Sequence, residues 1–259
     1  MSAQNSSNEH SQTRIANLEL RIGGQNVSLQ VPLRLGPMRR IELLNVFQDL
    51  ADKVVDIGVK AVEAKGERIS CKKGCGACCR QLVPISPTEA RWIRELVNEL
   101  PEPRRSMIRA RFAEAREMLQ ASGLLEKLIH PEAIPSRELR PIGLEYFKEQ
   151  IACPFLEEES CSIHPDRPIA CREYLVTSHA AECAQPSAET VRCVPLPGKV
   201  SEAVSRLEQD VSTKAIPWVP LILAPEWAEA HASEPPPRTG PDLLKEFLGH
   251  LSGKEVGHP

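Results

Sequence analysis

Cys71-Lys72-Lys73-Gly74-Cys75-Gly76-Ala77-Cys78-Cys79 places four cysteines within nine residues. Thiolates that share a metal sit at metal–sulfur distances of about 2.3 Å, and spacings of two or three residues let a tight loop turn its sulfurs inward. Gly74 and Gly76 flank Cys75 and read as positions whose backbone conformation is closed to other residues. Lys72, Lys73 and Arg80 surround the thiols with positive charge, which favours thiolate over thiol. A turn holding free buried cysteines is the alternative, and the density of thiols weighs against it. Adjacent residues such as Cys78 and Cys79 tend to point apart, so this loop alone would strain one tetrahedral site.

Further ligands are therefore sought downstream. The second group comprises Cys153-Pro154-Phe155-Leu156, then Cys161-Ser162-Ile163-His164-Pro165-Asp166-Arg167-Pro168-Ile169-Ala170-Cys171-Arg172-Glu173-Tyr174, then Cys183 and Cys193. Its separations are too long for a local knuckle. The two groups are expected to share one or two centres that form only when the fold closes. All nine cysteines lie between Cys71 and Cys193, although the chain runs to 259 residues. Cysteines used only as small core residues would be spread more evenly.

The combined pattern, C-x3-C-x2-C-C, then C-P-F-L, then C-x-I-H-x-x-R-P-x-x-C-R-x-Y and a later cysteine, resembles the CxxCxxCC cysteine-cluster proteins (YkgJ-type). That family is described as a zinc- or iron-chelating domain, and flagellin lysine N-methylase shares it. The resemblance covers about Cys71 to Cys183. It implies the ligand set Cys71, Cys75, Cys78, Cys79, Cys153, Cys161, Cys171 and Cys183. The family's name spaces its first cysteines by two, whereas three residues separate Cys71 from Cys75 here.

Composition bounds the rest. The net charge of -3 and pI of about 6.2 give no long-range field for nucleic acid or anionic lipid. The run Met1 to Arg14 lacks a signal peptide's apolar core, and the apolar segment Trp218 to Ala224 falls far short of the ~20 residues of a membrane span. Nine cysteines without an export signal point to a reducing, cytoplasmic setting.

The expected fold is mainly α, with irregular cysteine-rich loops and a small N-terminal β-hairpin, in a single domain organised around a metal centre. Residues 1–13 read as a disordered leader, 14–215 as the metal-binding domain with its motif core at 71–183, and 216–259 as a proline-rich extension with a short helix. Leu18, Leu20 and Ile22 alternate before Gly23-Gly24, and Val27, Leu29 and Val31 alternate after it, which predicts a hairpin. Ile41, Leu44, Phe47, Leu50, Val54, Ile57, Ala61 and Ala64 recur at helical spacing and end near Gly66. Ser86-Pro87-Thr88-Glu89 carries N-cap, first-turn proline and capping-box signals for a helix to about Leu100. Ile108, Phe112, Ala115 and Leu119 mark a second, paired helix closing at Gly123. Only short elements are expected from His130 to Leu196. A helix is expected from Val200 to about Thr213, and a terminal one around Leu243 to Leu251.

Zinc suits four-cysteine sites, whereas an iron–sulfur cluster suits a thiolate-rich set with few histidines and a Cys-Pro step. The balance leans to iron–sulfur, with Arg80, Arg167 and Arg172 as the groups that would screen a cluster's negative charge. His164 and His179 are reserve ligands, and Tyr174 and Asp166 are polar groups near the centre with no substrate to pair with. Cys193 reads as a buried, inert thiol. The three-cysteine loop of radical S-adenosylmethionine enzymes is a rival for Cys71, Cys75 and Cys78. It lacks support because Ala77 stands where an aromatic residue is usual and no alternating β/α barrel is evident. Two function classes remain: a redox or protein-modification centre acting on a protein substrate, and a non-catalytic zinc-binding structural or interaction module. No residue is assigned a catalytic role.

Overall fold

The computed structural model describes residues 13–187, 189–209 and 215–252. The expected leader therefore lies outside the described residues except for Thr13, which opens the first strand.

The N-terminal hairpin forms as the alternation dictates. Strands β1 (Thr13–Ile22) and β2 (Gln25–Arg34) pair antiparallel with Ile22 opposite Gln25, leaving Gly23-Gly24 as a two-residue turn. Both glycines have positive φ, +57° and +81°, as a turn matching the strand twist requires. Leu20 faces Val27 and Leu18 faces Leu29, and this face closes over helix α1 (Leu44–Glu63), which a 3-10 turn at Arg40–Leu43 leads into. Leu44, Phe47, Leu50, Val54 and Ile57 are buried as their spacing predicts. In the last turn, however, Ala61 and Ala64 are exposed and Val62 is buried, because the bulkier β-branched residue takes the inward position.

Helix α2 (Pro87–Glu99) starts where the capping signals place it: Ser86 Oγ accepts from Glu89 N, and the Glu89 carboxylate accepts from Ser86 N. It packs against α3 (Arg104–Ala121), whose stripe of Ile108, Phe112, Ala115 and Leu119 is buried. Gly123, at φ +75°, ends the run.

The region expected to hold only short elements contains more. After the single-turn helix α4 (Leu125–Leu128), α5 (Ser136–Lys148) runs for 13 residues despite Pro141 inside it. Ile142 and Tyr146, one helical turn apart, are buried with Ile151 in a core that also takes Leu119, Leu125 and Leu128, and that burial outweighs the hydrogen bond Pro141 cannot make. The rest is irregular: the small hairpin of β5 (Leu156–Glu157) and β6 (Ser160–Cys161) and the five-residue helix α6 (Ile169–Glu173).

Helix α7 (Val200–Arg206) is shorter than expected. Beyond it, Glu208 accepts from Thr88 Oγ1 at 2.6 Å and from Arg91 Nη1 at 2.8 Å, which holds the chain on α2 rather than on a continuing helix. Residues 210–214, where the expected helix would have ended, lie outside the described residues. The apolar run near Trp218 becomes a buried 3-10 turn at Leu221–Leu223 followed by α8 (Ala224–Ala230), and α9 (Gly240–Ser252) returns Leu243, Leu244 and Phe247 to the first core. The two-residue strands β3 (Pro37–Met38) and β4 (Pro84–Ile85) pair with β7 and β8 late in the chain: β3 with β8 (Arg238–Thr239), β4 with β7 (Val219–Pro220). The molecule is mainly α, with its strands in small antiparallel pairs among the described residues. No helix among them is long and apolar enough to cross a membrane.

Candidate metal centre

The first cysteine loop leaves α1 through a turn at Gly66 and is tied down at once. Ser70 N donates to Val176 O at 3.0 Å, and Val176 N donates to Cys71 Sγ at 3.4 Å. Gly74, at φ +85°, turns the loop, and a 3-10 turn at Ala77–Arg80 carries Cys78 and Cys79. Gly76 matters for a different reason from the one its sequence position suggested. Its φ of -88° is open to any residue, but a Cβ there would lie 2.4 Å from Glu159 Oε2 and 2.9 Å from Leu156 Cδ1. Glycine is needed because the β5–β6 hairpin approaches so closely.

That hairpin, β5 (Leu156–Glu157) with β6 (Ser160–Cys161), presents Cys161, and its turn places Glu158 and Glu159 at φ +48° and +55°. Such left-handed conformations are uncommon outside glycine. Arg80 holds the turn there, with Nη1 donating to Glu159 Oε2 at 2.9 Å, Nη2 to Oε1 at 2.6 Å, and Nη1 also to Gly76 O at 3.1 Å. Cys153 is fixed to the first loop by its own backbone, whose N–H donates to Cys79 O at 2.7 Å.

Cys171 sits on α6, and three buried charged residues hold that helix in place. Glu89, fully buried, accepts from Ile169 N at 2.8 Å while capping α2. Arg172 donates to Arg167 O at 3.0 Å, to Asp52 Oδ2 on α1 at 2.7 Å, and to Pro165 O. Glu173 accepts from Val200 N at 2.7 Å and from Ser201 Oγ at 2.6 Å at the start of α7. The capping box had marked Glu89 only as a local signal. Its reach to Ile169, eighty positions on, has no counterpart in the local sequence.

These anchored loops enclose an open cavity of about 620 Å³. Its wall contains Cys71, Cys75, Cys78, Cys79, Cys161, Cys171 and Cys183, seven of the eight cysteines expected to act together. The eighth, Cys153, lies behind the wall beside Tyr146 and Leu221, within electrostatic range of Cys79, Cys161 and Cys171. Lys72, Lys73, Glu159, Ser160, His164, Arg167 and Tyr174 complete the polar lining. Among the described residues, no three Cys, His, Asp or Glu side chains stand close enough together to enclose an ion as they are.

Of the three arginines, Arg167 faces the cavity, and its Nε is buried without a hydrogen-bond partner among the described residues. Arg80 and Arg172 are engaged with the backbone and carboxylates of the ligand-bearing loops. His164 is exposed on the cavity wall; His179 instead caps the 3-10 turn that carries Cys183, its Nδ1 accepting from Ala181 N at 3.2 Å. Asp166 is exposed and does not line the cavity. Tyr174 does, with its hydroxyl accepting from Gln81 Nε2 at 3.1 Å. Cys193 is exposed, contrary to the expected buried thiol. It pairs with Val176 across an isolated antiparallel bridge, where the strand-like alternation buries Val194 and turns residue 193 outward.

The electrostatics of the thiols follow from burial and from one another. Burial pushes Cys171 well up, Cys153 up to about 12 and Cys183 up to about 11. Backbone N–H groups oppose this, reaching Cys71 from Val176, Cys153 from Phe155 and Cys161 from Ile163. Cys78 and Cys79 share a hydrogen bond, which pulls Cys78 down and pushes its neighbour up. All nine cysteines are free. A thiolate-binding metal centre fits this donor set: clustered thiols, backbone donors that reach sulfur, and the Arg167 side chain on the same wall.

No curated protein and no solved structure matches the chain. One family model does, over residues 70–194, named CxxCxxCC and described as "Putative zinc- or iron-chelating domain". Its span takes in both cysteine groups and the loops that enclose the cavity, so residues 70–194 of this chain are similar to the CxxCxxCC domain over the whole of the cysteine cluster.

Proposed function

We propose that this protein holds a metal centre on Cys71, Cys75, Cys78, Cys79, Cys153, Cys161, Cys171 and Cys183, that the metal is iron in iron–sulfur form, and that the centre serves a redox or protein-modification reaction. The observation that carries the reading is the cavity itself. Seven thiols line one space of about 620 Å³, more than a lone tetrahedral ion needs, and Arg167 lines it with them. Rotation of the cysteine side chains about χ1 is the motion that would bring the sulfurs into bonding range.

When bound, an iron–sulfur group supplies one-electron transfer or a Lewis-acidic iron. The chain's own residues bind and tune it. Backbone N–H groups at Val176, Phe155 and Ile163 stabilise thiolate at Cys71, Cys153 and Cys161, and the Arg167 guanidinium offsets negative charge. Lys72, Lys73 and His164, exposed at the wall, and Tyr174 beside them leave the site approachable by a substrate, which favours the reactive reading over a closed structural zinc site. Nine free thiols suit a reducing compartment such as the cytoplasm.

The test is anaerobic purification followed by iron, zinc and acid-labile sulfide analysis with an absorption spectrum. Iron with sulfide and a visible charge-transfer band is the expected result. Zinc without iron or sulfide would overturn the iron–sulfur assignment and favour the structural module.

A further inference from the structure

One edge of the N-terminal hairpin has no partner strand: among the described residues, β1 pairs with β2 alone. The two-residue turn at Gly23-Gly24 makes Ile22 and Gln25 a hydrogen-bonded pair, and an antiparallel ladder alternates such pairs with non-bonded ones. Ile22, Leu20, Leu18 and Ala16 therefore turn their N–H and C=O groups toward β2. Those of Ile15, Asn17, Glu19 and Arg21 point away from it, along the outer edge. An unpaired edge of this length is a template for a further strand.

The side chains of β1 agree with its backbone. On the inner face, Val27, Leu29 and Val31 of β2 are buried, whereas Leu18, Leu20 and Ile22 of β1 are only partly covered by the first hydrophobic core. Helices α1 and α9 pack mainly against β2, so the apolar stripe of β1 extends past its cover. On the outer face, Glu19 and Arg21 are exposed, and neither forms an ion pair with another described residue.

Charge selects the strand that fits. A second copy of β1, antiparallel across a two-fold axis, must set edge-pointing residues opposite edge-pointing residues, which leaves few registers. An axis at Leu20 puts Glu19 of each copy opposite Arg21 of the other. It also puts Leu20 opposite Leu20 and Leu18 opposite Ile22, so the two half-covered stripes meet on the inner face. An axis at Glu19 or at Arg21 instead sets like charges directly opposite, which is destabilising. An axis at Leu18 forms neither ion pair.

We propose that this edge is a homodimer interface, in which two copies join β1 to β1 as one continuous antiparallel sheet with Glu19 paired to Arg21 across the two-fold. A contact this short describes a weak dimer, with Kd on the order of 10–100 µM.

Sedimentation equilibrium tests it on the full-length chain, kept under reductant so that no disulfide through the exposed Cys193 contributes. The weight-average mass should rise from 28.7 kDa toward twice that value as concentration is raised to about 500 µM. Glu19→Arg and Arg21→Glu, each alone, should stay at the monomer mass with the parent circular dichroism, because either change sets like charges opposite one another. Mixed together, the two variants should dimerise, since the cationic edge of one then meets the acidic edge of the other. An unmodified chain that stays at 28.7 kDa across the range would overturn the proposal. So would a dimer that either single variant leaves intact, because the interface would then lie elsewhere. A mixture that stays monomeric while the unmodified chain dimerises would overturn the pairing of Glu19 with Arg21.

Discussion

At the scale of the residue, the burial of a thiol decides how a metal must be bound. Cys183 is buried and held up at about 11, and Cys153 at about 12. Both carry protons at neutral pH in the metal-free chain, and a metal must displace them. Raised thiol pKa values therefore make affinity rise with pH, by up to roughly tenfold per unit for each proton released. Competition titrations with a chelator of known affinity at pH 6.5 and 8 should show tighter binding at pH 8. Equal affinity at both would mean that these thiols are not ligands. Substitution separates the cysteines further. Cys75→Ser and Cys171→Ser should each lower metal content, whereas Cys193→Ser should leave it unchanged, since eight thiols already complete the set. Equal loss from all three, read by elemental analysis, would mean that the ligand set is wrongly drawn. The cysteines themselves were legible in the sequence because spacing and density carry their meaning locally. The exposure of Cys193 was not, because it follows from a bridge to Val176 seventeen residues earlier.

At the scale of the element, the short helix α6 depends on charges supplied by other parts of the chain. Glu89 is the best example: its carboxylate accepts from Ser86 N, Ser86 Oγ and Ile169 N, and burial pushes its pKa up against those three bonds. Truncation to alanine leaves buried N–H donors unpaired, at a cost of about 1–3 kcal/mol for each. Glu89→Ala should therefore lower the midpoint of chemical denaturation and also reduce metal content, because the helix start that positions Cys171 is released. Glu89→Gln, which keeps the shape and one acceptor, should lose less of both. An Ala variant with full metal content would show that α6 is held by other contacts. The strong local signals, Ser86-Pro87-Thr88-Glu89 and Gly23-Gly24, located their elements well. Helix α5 was hidden by Pro141 and by its place between cysteine groups, since its buried face is completed by Leu119, Leu125 and Ile151 from elsewhere.

At the scale of the whole molecule, three hydrophobic clusters hold the fold, and two of the thiols, Cys153 and Cys161, lie at the edge of the second. The first joins the hairpin, α1, α7 and α9 around Phe47, Val54 and Phe247, with the Phe47 and Phe247 rings stacked at 4.3 Å. The second joins α2 and α3 to Phe155, whose ring meets Phe112 edge-on at 5.6 Å. Apolar burial on this scale does not depend on a metal. Chelation should therefore lower the melting temperature and expose the 71–80 and 159–183 loops to protease while most far-UV helical signal remains. Loss of the helical signal on chelation would instead make the metal the organiser of the fold. The mainly α class could be read from periodicity. The meetings of β3 with β8 and of β4 with β7 could not, because two-residue strands leave no pattern of their own. X-ray absorption at the metal edge of the anaerobically purified protein bears most directly on the thiolate centre. An all-sulfur shell near 2.3 Å is predicted, and a shell of nitrogen and oxygen, or a folded protein with no bound metal, would contradict it.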